Sequence, residues 1–194
     1  MFLKLYFYER VFMKSIKFYA QVVKMASYAL MLSLIAGFFF KWLAQEIALD
    51  YGNHHFLFFA LDNSFKALIA GMPFLHRVLG MIIDSFSFGL LFFIFLLVAR
   101  LMNYFQQGEI FTAATVMLIS LIGKTTFYLA LYTPINRIIL SLVISLHNPP
   151  GQRFISASFE PSDVFNILAF GFFMVITLLM REGNFLQEEK NLTV

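Results

Sequence analysis

Polar and apolar positions are very unevenly spread along this chain. Four runs are apolar over roughly the 20 residues that a helix needs to cross a bilayer. The first covers residues 25–43, is preceded by Lys24 and closes on Lys41 and Trp42, which suit an interfacial anchor. The second covers 78–99 and stops at Arg100; the third covers 113–134; the fourth covers 164–180 and stops at Arg181. The pattern predicts an all-α membrane protein, a four-transmembrane-helix bundle with an amphipathic N-terminal helix, forming a single membrane domain over residues 1–194. The first run is too long for a signal peptide, a basic segment longer than a full helix precedes it, and no small-residue cleavage site follows.

The third run is overlong. Apolar character continues past Pro134 to Leu146. Proline removes a helical hydrogen bond and clashes with the preceding turn. Two arrangements are open: one long tilted helix kinked at Pro134, or a separate interfacial helix over 135–146. The later piece is too short to cross again, so the count stays at four. The break at Pro134 is the expected one.

Residues 1–24 follow a helical period. Arg10, Lys14, Lys17, Gln21 and Lys24 recur at steps of four, three, four and three, on one face, while Phe12, Ile16, Tyr19, Val22 and Val23 lie elsewhere on the wheel. A basic amphipathic helix of this kind can lie on an anionic membrane surface, with Arg10, Lys14, Lys17 and Lys24 as the contacts; the same charges also serve simply to set topology. The opposite face is too apolar for a soluble nucleic-acid-binding arm.

Composition sharpens the membrane reading. Of 194 residues 60% are hydrophobic and 13% charged, and mean hydropathy is +0.79. A soluble domain carries about twice that charged share to cover its surface. The 27 Phe and 10 Met against 1 Trp read as drift among equivalent apolar residues. With no cysteine, disulfides, thiolate metal sites and thiol nucleophiles are excluded. The net charge of +3 is concentrated before the first span, which places that end in the cytoplasm. An even number of spans returns the other end to the same side. Residues 100–112 are then cytoplasmic, and 44–77 and 147–163 face outward; Lys66, Arg77 and Arg153 on the outer side make the bias incomplete.

Charges within or beside the spans are functional candidates by default, because each costs roughly 2.5–3.5 kcal/mol at the bilayer centre. Asp84, Lys124 and Arg137 are those residues here. Asp84 and Arg137 fall at similar outer depths, so an Asp84–Arg137 ion pair is expected. Lys124 is deeper and has no evident partner; it is expected to snorkel toward the cytoplasmic headgroups. No metal site is expected: His54 and His55 are adjacent and point apart, and nothing fixes His76 or Asp50 beside them. No nucleophile elbow, phosphate loop or cofactor motif occurs, so neither an enzyme activity nor a cofactor is expected. The stretch 62–70 (DNSFKALIA) reads as a capped short helix in the first outer loop.

Between the second and third spans the sequence is YFQQGEIFT. Gly108 suits a left-handed helix C-cap and Thr112 an N-cap, so the connection is tight. Capping leaves Glu109 unexplained, as solvation or as a contact point. After Arg181 the tail is acidic with spaced apolar residues, suited either to solvation or to docking.

These two stretches resemble the signature stretches of the YoaS-like bacterial membrane-protein family of unknown function, whose members have four predicted spans. The matching positions are Gly108, Glu109, Ile110, Phe111 and Thr112 in the loop. In the tail they are Arg181, Glu182, Gly183, Leu186, Glu188, Glu189, Leu192, Thr193 and Val194, and Gly123 also fits. The resemblance covers the chain from about the second span onward; the amino-terminal third is similar only in hydropathy. It implies a multi-pass protein of a bacterial inner membrane with no known enzyme activity. Family members are often encoded beside a small helix-turn-helix regulator, which implies a cytoplasmic DNA-binding protein as partner rather than nucleic acid itself. The expected role is binding and signalling in the bilayer through a cytoplasmic face, with Gly108, Glu109, Phe111, Thr112, Arg181, Glu182, Gly183, Glu188 and Glu189 as candidate contacts. The alternatives are a small transporter or channel using Asp84, Lys124 and Arg137, and a purely structural membrane subunit; self-association into a homo-oligomer is open.

Overall fold

A backbone surrounded by lipid has no water to bond, so an apolar run must close its hydrogen bonds within itself, and a helix does so. The computed structural model describes residues 2–43, 72–146, 148–149 and 151–192. Four helices carry these residues: α1 (Phe2–Leu43), α2 (Phe74–Gln107), α3 (Ala113–Ser145) and α4 (Pro161–Leu192). All four contain stretches long and apolar enough to cross a membrane, and the chain is an all-α membrane protein. Residues 44–71, with the expected short helix at 62–70 and with Asp50, His54, His55 and Lys66, lie outside the described residues.

α2, α3 and α4 have 34, 33 and 32 residues. At 1.5 Å per residue each is about 50 Å long, against a hydrocarbon thickness of about 30 Å. The helices therefore continue beyond the apolar layer. α1 is longer still, at 42 residues, and runs unbroken from the basic segment into the first span. The tail is helical as well, continuing α4 to Leu192.

The α2–α3 connection follows its local chemistry. Gly108 has φ 89° and caps α2 in the left-handed region, which glycine enters without a Cβ penalty. Thr112 caps α3: its Oγ1 accepts from the Thr115 amide at 3.3 Å, and the Thr115 hydroxyl oxygen accepts from the Thr112 amide at 3.1 Å. This is a reciprocal capping box with threonine in the place usually held by Glu or Gln.

Pro134 does not end the third span. α3 is one helix from Ala113 to Ser145 with Pro134 inside it, which corrects the expected break and excludes a separate interfacial helix over 135–146. Proline is tolerated in a membrane helix where neighbouring helices and hydroxyl groups re-satisfy the backbone. The carbonyl that Pro134 leaves without its helical amide is that of Ala130; the Thr133 hydroxyl beside it donates to the preceding carbonyl, that of Leu129, at 2.7 Å.

Each helix packs chiefly on its neighbours in the chain, in the order α1–α2–α3–α4. Two apolar clusters hold them. Toward the end that carries both chain termini, Leu97 and Leu101 of α2 meet Ile119 and Ile122 of α3 and Met180 of α4. Toward the opposite end, Trp42 of α1 meets Met72 and, from α3, Leu140 and Ile144. Gly123 lets α3 approach α4 closely: a Cβ there would stand 3.2 Å from Cβ of Phe173, the small-residue contact common between membrane helices. Large side chains such as Leu32, Phe165, Phe172 and Leu179 point outward, where lipid rather than water is their solvent.

Candidate functional site

Polar groups in this apolar array are mostly neutralised by their own helices. The hydroxyls of Ser27, Thr125, Thr126 and Thr177 each donate to the carbonyl four residues earlier, at 2.8–2.9 Å, and so need no external partner. Three groups of polar side chains stand out among the described residues.

The first centres on Asp84. Lys41 Nζ donates to Asp84 Oδ2 at 2.6 Å, and Trp42 Nε1 donates to the same oxygen at 3.1 Å. Asn136 Nδ2 donates to Asp84 Oδ1 at 3.2 Å. One carboxylate thus joins α1, α2 and α3. The Lys41 ammonium also lies 5.4 Å from the Trp42 ring centre, a cation–π distance. Close by, the Tyr132 hydroxyl donates to the Ile83 carbonyl at 3.0 Å. A cleft of about 380 Å³ opens beside the ion pair, with Ser87, Thr133 and Asn166 on its wall. Trp42 is only 2% exposed, and its ring occupies the space where a Gly80 side chain would project. It is a helix–helix contact, not the free interfacial anchor expected.

The second centres on Arg137. Its Nη2 pairs with Oδ1 of Asp163, and its Nη1 donates to the Ser158 carbonyl at 2.7 Å and lies 3.6 Å from Glu160 Oε1. Asp163 is fully buried. Its other oxygen accepts from the Glu160 amide at 2.8 Å, the return half of a capping box at the start of α4. The expected Asp84–Arg137 pair is therefore absent: each residue has a different partner. Successive residues on a helix point about 100° apart, so Asn136 faces α2 while Arg137 faces α4.

The third lies at the other end. Lys124 lines a cleft of about 400 Å³ between α3 and α4, together with Arg181 and Asn184. It shares neither the Asp84 nor the Arg137 cluster, so the three charged residues do not line one route.

At the same end the loop and the tail meet. A Cβ on Gly183 would come within 2.6 Å of Cδ1 and 2.8 Å of Cε1 of Phe111, so the ring lies flush against the glycine backbone of α4. A Cβ on Gly108 would be 3.0 Å from Cε of Met13, which brings α1 to the same place. Glu109, Glu182, Glu188 and Glu189 are exposed around this contact, as are Phe185 and Leu186. Asn184 Nδ2 donates to Glu188 Oε1 at 2.9 Å. Lys14 and Lys17 are exposed and Lys24 is half-buried along α1; the side chain of Arg10 and residues Thr193 and Val194 lie outside what is described. Among the described residues no three His, Cys, Asp or Glu side chains converge as metal ligands.

Sequence reasoning passed over Asn136 and Asp163. Asp163 had a local signal: Glu160-Pro161-Ser162-Asp163 places proline first in the helix and an acid third. Asn136 had none beyond its neighbour Arg137. No protein-family model, curated protein or solved structure matches this chain.

Proposed function

We propose that this integral membrane protein is a binding and signalling component whose working surface is the end carrying both termini. On this reading that end faces the cytoplasm of a bacterial cell, as the basic residues of α1 favour. The carrying observation is the seating of Phe111 on Gly183. It makes one surface of the 108–112 loop and the 181–192 helix, the two stretches that resemble the YoaS-like family. Glu109, Glu182, Glu188 and Glu189 give that surface an acidic character, and Phe111, Phe185 and Leu186 stud it with exposed apolar groups. An acidic helix with apolar anchors suits a basic partner protein. A small helix-turn-helix regulator, held at or released from the membrane, is a partner of that chemistry.

The test is co-purification of such a regulator with the membrane-inserted chain. Retention by the wild type is expected, with loss on Glu188→Lys/Glu189→Lys, a change at two exposed positions of α4 that also removes the Asn184–Glu188 hydrogen bond. Equal retention by both, or none by the wild type, contradicts the proposal.

A transport role is the second reading, favoured by the cleft beside Asp84. It predicts solute flux in liposomes that disappears on Asp84→Asn.

A further inference from the structure

We propose that the cleft between α3 and α4, at the end carrying the termini, binds the phosphate of an anionic phospholipid, with Lys124 and Arg181 as its cations and Asn184 as a further donor. This does not rest on a partner protein at the same end.

The cleft is built by the antiparallel run of two helices. Cα–Cβ bonds tilt toward a helix's N-terminus, so the Lys124 stem leans toward the start of α3. That start lies at the same end as Arg181, late in α4. The cleft accordingly reaches from Ala113 to Lys124 on α3, eleven residues or about 17 Å along the axis, and receives Arg181 and Asn184 from the facing helix.

The charge balance sets this cleft apart from the Asp84 and Arg137 clusters. Lys41 is neutralised by Asp84, and Arg137 by Asp163 and Glu160. Lys124 and Arg181 make no ion pair with any described residue. Two cations left without an ion pair on facing membrane helices attract the one anion that a bilayer supplies in quantity, the lipid phosphodiester. Asn184 uses Nδ2 toward Glu188, and a primary amide has a second N–H on that nitrogen.

The walls identify the source of the phosphate. Val116, Met117 and Leu121 line the cleft beside the cations, and Met117 is 71% exposed. That is an apolar strip on which an acyl chain lies while its headgroup meets Lys124 and Arg181. Free phosphate gains nothing from such a strip.

Native mass spectrometry of the full chain in detergent tests this, using phosphatidylglycerol, phosphatidylcholine of the same acyl chains, and inorganic phosphate as probes. The expected result is a preference for phosphatidylglycerol of about tenfold, from two cations near an anionic headgroup. Lys124→Gln and Arg181→Gln should each reduce it several-fold, while Lys124→Arg and the control Arg153→Gln, at an exposed position on the opposite end, preserve it. Thermal unfolding and size-exclusion behaviour show whether each variant is folded; Lys124→Arg keeps the test decisive if Lys124→Gln is not. Equal binding of the two lipids, or a preference unchanged in both glutamine variants, overturns the proposal. Displacement of the lipid by millimolar inorganic phosphate overturns the lipid assignment and leaves a free-anion site.

Discussion

The Nζ of Lys41 stands 2.6 Å from Oδ2 of Asp84, joining the last turn of α1 to α2 through one buried-edge ion pair. The two side chains are 27% and 14% exposed. Removing one member of such a pair strands the other charge, which costs about 3 kcal/mol, whereas replacing both with uncharged side chains is far less costly. Asp84→Asn and Lys41→Met should each lower the thermal midpoint in detergent, and the double variant should recover most of the loss. A double variant as unstable as the sum of the two singles refutes a stabilising pair.

Gly80 should not tolerate a methyl group. The indole of Trp42 fills the space its Cβ would need, with Cζ3 at 2.8 Å. That ring is buried and held by its bond to Asp84, so it has little room to withdraw. Gly80→Ala is expected to cost about 1–3 kcal/mol, the usual range for overpacking. Unfolding of the variant at the wild-type midpoint contradicts this account of the α1–α2 contact.

Asp163 both neutralises Arg137 and receives the Glu160 amide. Asp163→Asn removes the charge and retains an oxygen for the amide; Asp163→Ala removes both. A lost cap adds about 1 kcal/mol to the cost of the stranded guanidinium. The alanine variant should therefore unfold at a lower temperature than the asparagine variant, and both below the wild type. Equal midpoints for the two variants contradict a capping contribution.

Gly183→Ala presses a methyl group against the ring of Phe111. Phe111 is 42% exposed, so its ring can swing away at modest cost. The expected loss is about 1 kcal/mol, at the low end for overpacking. Phe111→Ala should abolish that loss in a double-mutant cycle. Additive effects show that the loop and the tail are not in contact there.

Features set by short-range chemistry were legible in the sequence. Gly108 and Thr112 read as caps because capping depends on a few neighbouring residues, and the four helices read from run length because the bilayer sets a thickness. Partner choice was not legible. Depth along a helix follows from counting, but azimuth follows from how helices rotate against each other. Asp84 and Arg137 share a depth and face different neighbours, and Asn136, one residue from Arg137, takes the place expected for it. Trp42 was read as an anchor because its position at the end of a run resembles one; the small residue that admits its ring, Gly80, lies 38 positions away. Pro134 was read as a break because the packing of α3 between α2 and α4 is not visible in the order of residues.

The central claim is a chain that crosses the bilayer four times, with the 108–112 loop and the α4 tail on one side and the 151–160 segment on the other. The chain has no cysteine, so single-cysteine variants report without background. Glu109→Cys, Glu188→Cys and Gln152→Cys replace exposed residues. In sealed vesicles of one orientation, a membrane-impermeant maleimide should modify positions 109 and 188 from the same side and position 152 only from the opposite side. Modification of 109 and 188 from opposite sides, or of 109 and 152 from the same side, contradicts the four-span arrangement.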